Sequence, residues 1–315
     1  MADPGDAEGT IGIQLLEAPA DRRLDPRAHT YIIDHLAPGT DVERQVKIAN
    51  RSDRRQRLQL YAGAATVDRE QFRFAEGRTA NELTSWVTLS EDEIDLDAGE
   101  SAEVSAVVRV PAKASAGERY AVIWASATSA PVAGANVTKV HRVGIRLYLD
   151  IGAGGEPASS FDIGEFTAGR APNGQASLTI GVRNTGGRAL DMTGKVSLAD
   201  GPGGVRAGPF DVVDGTTLAP GDSGSVQVAL PRELPNGPWR AEAELSSGLV
   251  RHSAVAQITF PPPGGAKRTS SPMQSVTVLL AGALGVGLVV LLGLVLVLSR
   301  SRRHREPAAA AHRVD

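Results

Sequence analysis

Few residues in this chain are of a type and spacing that could perform chemistry, and the clearest set is the tetrapeptide Gly221-Asp222-Ser223-Gly224. It matches the nucleophile segment of one class of serine proteases. The same residue types form tight turns, and Gly99-Glu100-Ser101-Ala102 has the same turn pattern without the protease motif. A catalytic triad also needs a histidine base and an orienting acid in a defined geometry. We therefore interpret 221–224 as a turn and predict no catalytic residue.

The acidic run Glu91–Asp97 is the second candidate, because clustered carboxylates bind calcium or act in glycoside hydrolysis. An EF-hand loop that began at Asp95 would need an acid at its twelfth position, where Ala106 stands. We interpret the run as a solvated strand and turn with Ile94 and Leu96 pointing inward. Carboxylates that form a cryptic hydrolase site stay open as an alternative.

Histidines and cysteines give no metal site. The chain has no cysteine, so thiolate ligands and disulfides are excluded. No two histidines in the residues before 276 have the spacing of a zinc site; they are His29, His35, His141 and His252. We predict no metal and no cofactor.

The elements that must carry these residues follow a β pattern. Short segments such as Val42–Ile48 alternate apolar and polar residues at period two, and Gly, Pro and Asn turns separate them. No segment before residue 276 has a sustained helical period. The pattern predicts an all-β fold of two tandem immunoglobulin-like β-sandwiches, plus one C-terminal transmembrane helix. The tryptophans Trp86, Trp124 and Trp239 are predicted core anchors.

The two predicted sandwiches look like copies of one unit. Leu96 to Val104 aligns with Leu218 to Val226 without a gap, and Val46–Asn50 parallels Ile180–Asn184. A Gly-rich break after residue 151 separates them. The predicted organisation is a disordered N-terminus at 1–9, sandwiches at 10–152 and 157–260, a Pro/Gly/Ser stalk at 261–275, a transmembrane helix at 276–298 and a basic cytoplasmic tail at 299–315.

The transmembrane prediction depends on the uncharged run 276–298, in which 16 of 23 residues are Leu or Val. As a helix this run is ~34 Å long, and a bilayer core is about 30 Å thick. Four arginines follow within 300–305, which predicts that the C-terminus lies in the cytoplasm and that residues before 276 lie outside. Small residues four positions apart predict close helix packing; they are Ala281, Ala283, Gly285 and Gly287.

Composition limits the location and the ligands. The net charge is −3, and residues 1–275 alone carry −6, which argues against nucleic acid. The absence of cysteine suits a bacterial envelope protein. The first nine residues have neither the basic nor the apolar region of a signal peptide. We interpret the protein as a single-pass plasma-membrane protein whose signal peptide is absent from this sequence.

Several short motifs occur in an order that is similar to a known family: Tyr31, the turn Leu36–Gly39, the segments Asn50–Asp53 and Leu96–Ser101, then Val108–Pro111 and Gly117–Tyr120. This layout resembles the WxL-interacting protein family of Gram-positive cell surfaces over about residues 10–305. The resemblance implies that the first sandwich binds peptidoglycan and that the protein pairs with WxL-type surface proteins. It also implies that the second sandwich contacts other proteins, including host proteins.

The sequence and this resemblance together predict a membrane-anchored adaptor that binds peptidoglycan without covalent chemistry. The candidate ligand-binding residues are Arg22, Arg23 and Tyr31, because an arginine pair suits peptidoglycan carboxylates. Two alternatives stay open. One is a structural spacer or assembly partner that binds only protein, and the other is a cell-wall hydrolase.

Overall fold

A computed structural model describes residues 11–128, 139–213 and 215–273 of the chain. The all-β prediction is confirmed in these residues: they form twenty strands and contain no α-helix. The remaining elements are short 3-10 helices at Ala20–Arg22, Pro26–His29, Leu83–Trp86 and Pro202–Gly204.

The first ten strands pair only with one another. They are β1 Ile11–Leu15, β2 Ile32–Leu36, β3 Asp41–Asn50, β4 Gln56–Asp68, β5 Gln71–Phe74, β6 Val87–Leu89, β7 Glu93–Leu96, β8 Ser101–Arg109, β9 Gly117–Thr128 and β10 Val140–Ile151. One sheet has the order β1-β3-β8-β6, and the other has the order β2-β10-β9-β4-β5 with β7 paired to β4. Alternate residues of both sheets face a shared core, as the period of two requires.

The second ten strands form their own sheets. They are β11 Phe161–Arg170, β12 Ala176–Asn184, β13 Leu190–Asp191, β14 Thr193–Ala199, β15 Ala207–Asp211, β16 Thr217–Leu218, β17 Ser223–Leu230, β18 Trp239–Ser247, β19 Val250–Ile258 and β20 Arg268–Ser270. The sheet orders are β17-β12-β11-β20, β13-β16 and β15-β14-β18-β19. Trp239 is fully buried in the core between them.

The acidic run has the interpreted structure. Residues Glu93–Leu96 form β7, with Leu96 buried and Ile94 packed against the core. Asp95 accepts two hydrogen bonds from Arg57 on β4, at 3.1 and 3.2 Å. The hydrogen bond from Arg57 holds the pKa of Asp95 below its usual range.

The C-terminal part of the described chain differs from a simple stalk. Strand β20 pairs with β11, and Met273 forms a bridge with Val255. The predicted span 276–298 and its packing residues Ala281, Ala283, Gly285 and Gly287 lie outside the described residues. No helix within 11–128, 139–213 and 215–273 is long and apolar enough to cross a membrane.

The described residues all belong to one compact unit, Met1–Gln274. Contacts between the two sets of strands are therefore contacts within a single unit. The boundaries at 152 and 157 that the sequence suggests stay a prediction.

Candidate functional site

Among the described residues, strand β10 pairs on one side over its whole length but on the other side over less than half of it. It pairs with β9 from Val140 to Ile151 without a register shift, but with β2 only from Leu147 to Ile151. In the described part of the chain, no strand pairs with 140–146 on the side that β2 leaves open. Unpaired strand edges are templates for another extended chain.

The register tells which backbone groups face this open side. Gly152 N–H donates to the Leu36 carbonyl at the end of β2, at 3.1 Å. Alternate residues of a regular strand direct their N–H and C=O groups to the same neighbour. The even-numbered residues Val140, Arg142 and Gly144 therefore direct theirs toward the open side.

The two faces of this edge differ in character. Val143 and Ile145 face the core of the first ten strands. The even-numbered side chains lie on the outer face of the sheet, where Arg142 and Arg146 alternate with Gly144. We call residues 140–146 of β10 the open edge. It is apolar on its inner face and cationic on its outer face.

Trp124 forms the floor of the outer face beside the open edge. A Cβ added to Gly144 would lie 2.7 Å from the Trp124 ring, and one added to Gly63 would lie 2.9 Å from its Nε1. The indole therefore fits across three strands only because both flanking strands carry glycine. The guanidinium of Arg142 lies 4.2 Å from the ring centroid, which is a cation–π distance.

Arg146 lies over a second aromatic group on the same face. Its guanidinium carbon is 4.8 Å from the Phe72 centroid and 5.3 Å from that of Tyr31. It also donates to the Tyr148 hydroxyl at 3.4 Å and to Asp191 Oδ1 at 3.3 Å. Burial lowers the pKa of Arg146, but Tyr148 and its other neighbours outweigh burial and raise that pKa above its ordinary value. Arg146 therefore stays charged and forms an ion pair with Asp191 on the outer face.

Asp191 joins the outer face to the second set of strands. Its Oδ1 accepts from the Tyr148 hydroxyl at 2.9 Å and from the Thr217 hydroxyl at 2.7 Å, and its Oδ2 accepts from Arg27 Nε at 3.1 Å. Burial raises the pKa of Tyr148 well above its ordinary value, and the Asp191 charge adds to that rise. The Tyr148 hydroxyl therefore stays neutral and donates a hydrogen bond to Asp191.

A buried ion pair makes the second connection. Arg188 Nε donates to Glu118 Oε1 at 2.9 Å, and both side chains are only 3% exposed. Glu118 Oε2 also accepts from the Ala189 N–H at 2.7 Å and from the Tyr120 hydroxyl at 2.8 Å. Glu156 contacts the same guanidinium. These bonds fix the second set of strands against β9, next to the strand that carries the open edge.

A cleft of about 400 Å³ lies near the end of β10, lined by His35, Glu118, Asp150 and Pro157 among others. His35 Nδ1 lies 2.6 Å from Asp150 Oδ2, and its Nε2 lies 3.1 Å from the Gly154 carbonyl oxygen. Both ring nitrogens are thus engaged within the fold. No group of three metal-ligating side chains occurs among the residues that the structure describes.

The structure separates the residues predicted to bind ligand. Arg22 pairs with Glu156. Arg23 is exposed, and its carbonyl lies 2.8 Å from His29 Nε2. Only Tyr31 belongs to the outer-face aromatic group, 5.6 Å from Tyr148 between centroids. A ligand-binding role for these three stays a prediction.

No protein-family model matches the chain, and no curated protein matches its sequence. Solved structures that the chain matches include a complex of the Salmonella enterica SafA pilin with the SafB chaperone, at 10% identity over 77% of this chain and 94% of the other, with a TM-score of 0.42. The E. coli chaperone DraB matches at 13% identity over 71% and 94% with a TM-score of 0.40. The class 5 fimbriae chaperone CfaA matches at 13% identity over 80% and 100% with a TM-score of 0.37. At these TM-scores the similarity is not evidence for the function of this chain.

The resemblance to the WxL-interacting family is contradicted, because no family model matches the chain. The predicted function as a peptidoglycan-binding adaptor, its WxL-type and membrane partners and its plasma-membrane localisation are wrong with it. Two of the motifs behind the resemblance are sequences typical of turns. Leu36–Gly39 and Leu96–Ser101 each contain a glycine with positive φ in a turn between strands, and any sandwich of this topology needs such turns.

Proposed function

We propose that this protein is a non-catalytic binding module, built on two immunoglobulin-like sandwiches, that takes up an extended segment of a partner protein along the open edge. The observation that carries the proposal is the unequal pairing of β10, which bonds to β9 along its whole length and to β2 only from Leu147. Addition of a strand to an exposed sheet edge is a recurring mode of peptide recognition.

The geometry of the open edge suits one short strand. Seven residues from 140 to 146 span ~23 Å, which accommodates a partner segment of about seven residues. Val143 and Ile145 offer apolar contacts on the inner face. Pairing with β9 along all of 140–146 holds the edge extended before a partner binds, so binding costs less ordering entropy.

A proline at Arg142 tests the proposal. The N–H of Arg142 points to the open side, so Arg142→Pro removes a donor that β9 does not use and places the ring at the edge. The probe is a fluorescein-labelled eight-residue peptide that alternates Val and Ser, measured by fluorescence anisotropy with the full chain. We expect wild type to bind it and Arg142→Pro to bind at least about tenfold more weakly.

The matched control is Arg183→Gln, an exposed arginine on β12. It should bind the peptide like wild type. If Arg142→Pro fails to fold, Val140→Pro replaces it, because proline is tolerated at the first residue of a strand. A wild-type protein that binds no such peptide, or a folded proline variant that binds as well as wild type, contradicts the proposal.

A further inference from the structure

The outer face of the open edge carries two arginines, of which Arg146 pairs with Asp191 at 3.3 Å. Residues 140–149 contain Arg142 and Arg146 and no carboxylate. The facing segment 121–128 of β9 is uncharged. In the described part of the chain, Arg142 stacks on Trp124 and pairs with no carboxylate. Its planar guanidinium therefore keeps its donors available toward a ligand.

An added strand would place its own side chains beside these arginines. Residues directly opposite on neighbouring strands have Cβ atoms about 4.5–5.5 Å apart and share one face of the sheet. The partner residues opposite Arg142 and Arg146 would therefore lie on the outer face, two residues on either side of the one opposite Gly144. The partner residues between them would face Val143 and Ile145.

We propose, as an extension of the proposed function, that the segment taken up at the open edge is acidic: it alternates carboxylate side chains on the outer face with apolar side chains on the inner face. One carboxylate pairs with Arg142, whose guanidinium lies 4.2 Å from the Trp124 ring centroid, and a second lies beside Arg146, which also pairs with Asp191. The apolar residues extend the inner-face contacts of Val143 and Ile145.

A second copy of this chain is a poor occupant of the same edge. Antiparallel pairing of two open edges would bring the arginines of one copy opposite those of the other. Like charges placed opposite each other destabilise a strand pair. Charged residues on an edge strand protect it from self-association in this way. The charge pattern thus favours a chemically different partner.

Three eight-residue peptides separate this inference from the proposed function. They alternate Val with Glu, Val with Ser, and Val with Lys, and each is titrated into the full chain by anisotropy at low and high salt. We expect the Glu peptide to bind about three- to tenfold more tightly than the Ser peptide, the Lys peptide to bind most weakly, and the difference to shrink at high salt.

The variant Arg142→Gln keeps the backbone donor and removes the charge. It should reduce binding of the Glu peptide by a larger factor than binding of the Ser peptide, whereas Arg183→Gln should change neither. Equal binding of the Glu and Ser peptides by wild type overturns the acidic partner and leaves the proposed function standing. Failure of all three peptides to bind overturns the proposed function, and the acidic partner with it.

Discussion

Asn50 and Asn184 share three equivalent side-chain hydrogen bonds in the two sets of strands. Asn50 Nδ2 donates to the carbonyls of Arg54 and Leu96 at 2.7 and 3.1 Å. Asn184 Nδ2 donates to those of Arg188 and Leu218 at 2.8 and 3.0 Å. Each asparagine side chain also accepts from the backbone N–H two residues on, at 3.0 Å. Asn50 is the last residue of β3 and bonds to the turn before β8, and Asn184 is the last residue of β12 and bonds to the turn before β17.

The first prediction concerns this shared bond set. Asn50→Ala and Asn184→Ala should each lower the free energy of unfolding by about 2–4 kcal/mol, because buried carbonyls lose their donors. Urea denaturation followed by tryptophan fluorescence measures the change. Asn173→Ala, at an exposed turn, is the control and should stay within about 1 kcal/mol. Unchanged midpoints for both buried asparagines contradict the prediction.

The ion pair of Arg188 with Glu118 gives a second prediction. Arg188→Met should destabilise the protein by about 3–5 kcal/mol, because it leaves a buried carboxylate without its cation. Adding Glu118→Gln to that variant should lower the free energy of unfolding by less than Glu118→Gln lowers it in wild type. A double-mutant cycle by denaturant unfolding measures this coupling. Arg240→Met, at an exposed pair, should change stability by less than about 1 kcal/mol.

The glycine beneath Trp124 gives a third prediction. Gly144→Ala would place its Cβ 2.5 Å from Val122 Cγ1 and 2.7 Å from the Trp124 ring, so the indole must shift. We expect a loss of about 1–3 kcal/mol together with a changed near-ultraviolet circular dichroism band. Gly155→Ala is the matched control, because no atom lies within 4 Å of its added Cβ. A Gly144→Ala variant with wild-type stability and spectrum would show that the ring is not confined.

Asp34 gives a pH dependence. Burial raises the pKa of its carboxyl above the ordinary value, although Arg44 opposes the rise. The folded state therefore holds the proton more tightly than the unfolded state, so the stability that Asp34 contributes is complete below pH ~3.9 and is lost as pH rises through the folded pKa.

Asp34→Asn removes this dependence. Its stability relative to wild type should improve as pH rises from about 4 to 7, as measured by denaturation midpoints across that range. Asp53→Asn changes an exposed carboxyl and serves as the control. A relative stability that falls with rising pH would contradict the assigned direction.

Local pattern predicted much of the fold. The alternation of Val42–Ile48 and the turn glycines Gly99 and Gly221 predicted strands and turns that the structure contains, since these features depend on neighbouring residues alone. The match between 46–50 and 180–184 placed Asn50 and Asn184 at corresponding positions, but their hydrogen bonds were not predicted.

The candidate site depends on pairing that no local pattern contains. Strand β9 is apolar on both faces, so its sequence does not tell whether Trp124 or Ile123 faces the core; the structure buries Ile123 in the core and Trp124 on the outer face. The ion pair of Arg188 with Glu118 joins residues 70 positions apart. The open edge depends on β2 pairing with only the last five residues of β10. The lengths of two strands do not tell which of their residues pair, so the sequence could not predict this.

The central claim is that an extended partner segment adds to β10. Hydrogen exchange of the full chain, resolved to single amides, tests it with and without the Val–Glu peptide. Because the N–H groups of Arg142 and Gly144 point to the open side, we predict fast exchange without peptide and strong protection with it, while the amides of Val143 and Ile145 stay protected throughout. Protection of Arg142 and Gly144 before the peptide is added, or no change when it binds, would contradict the account.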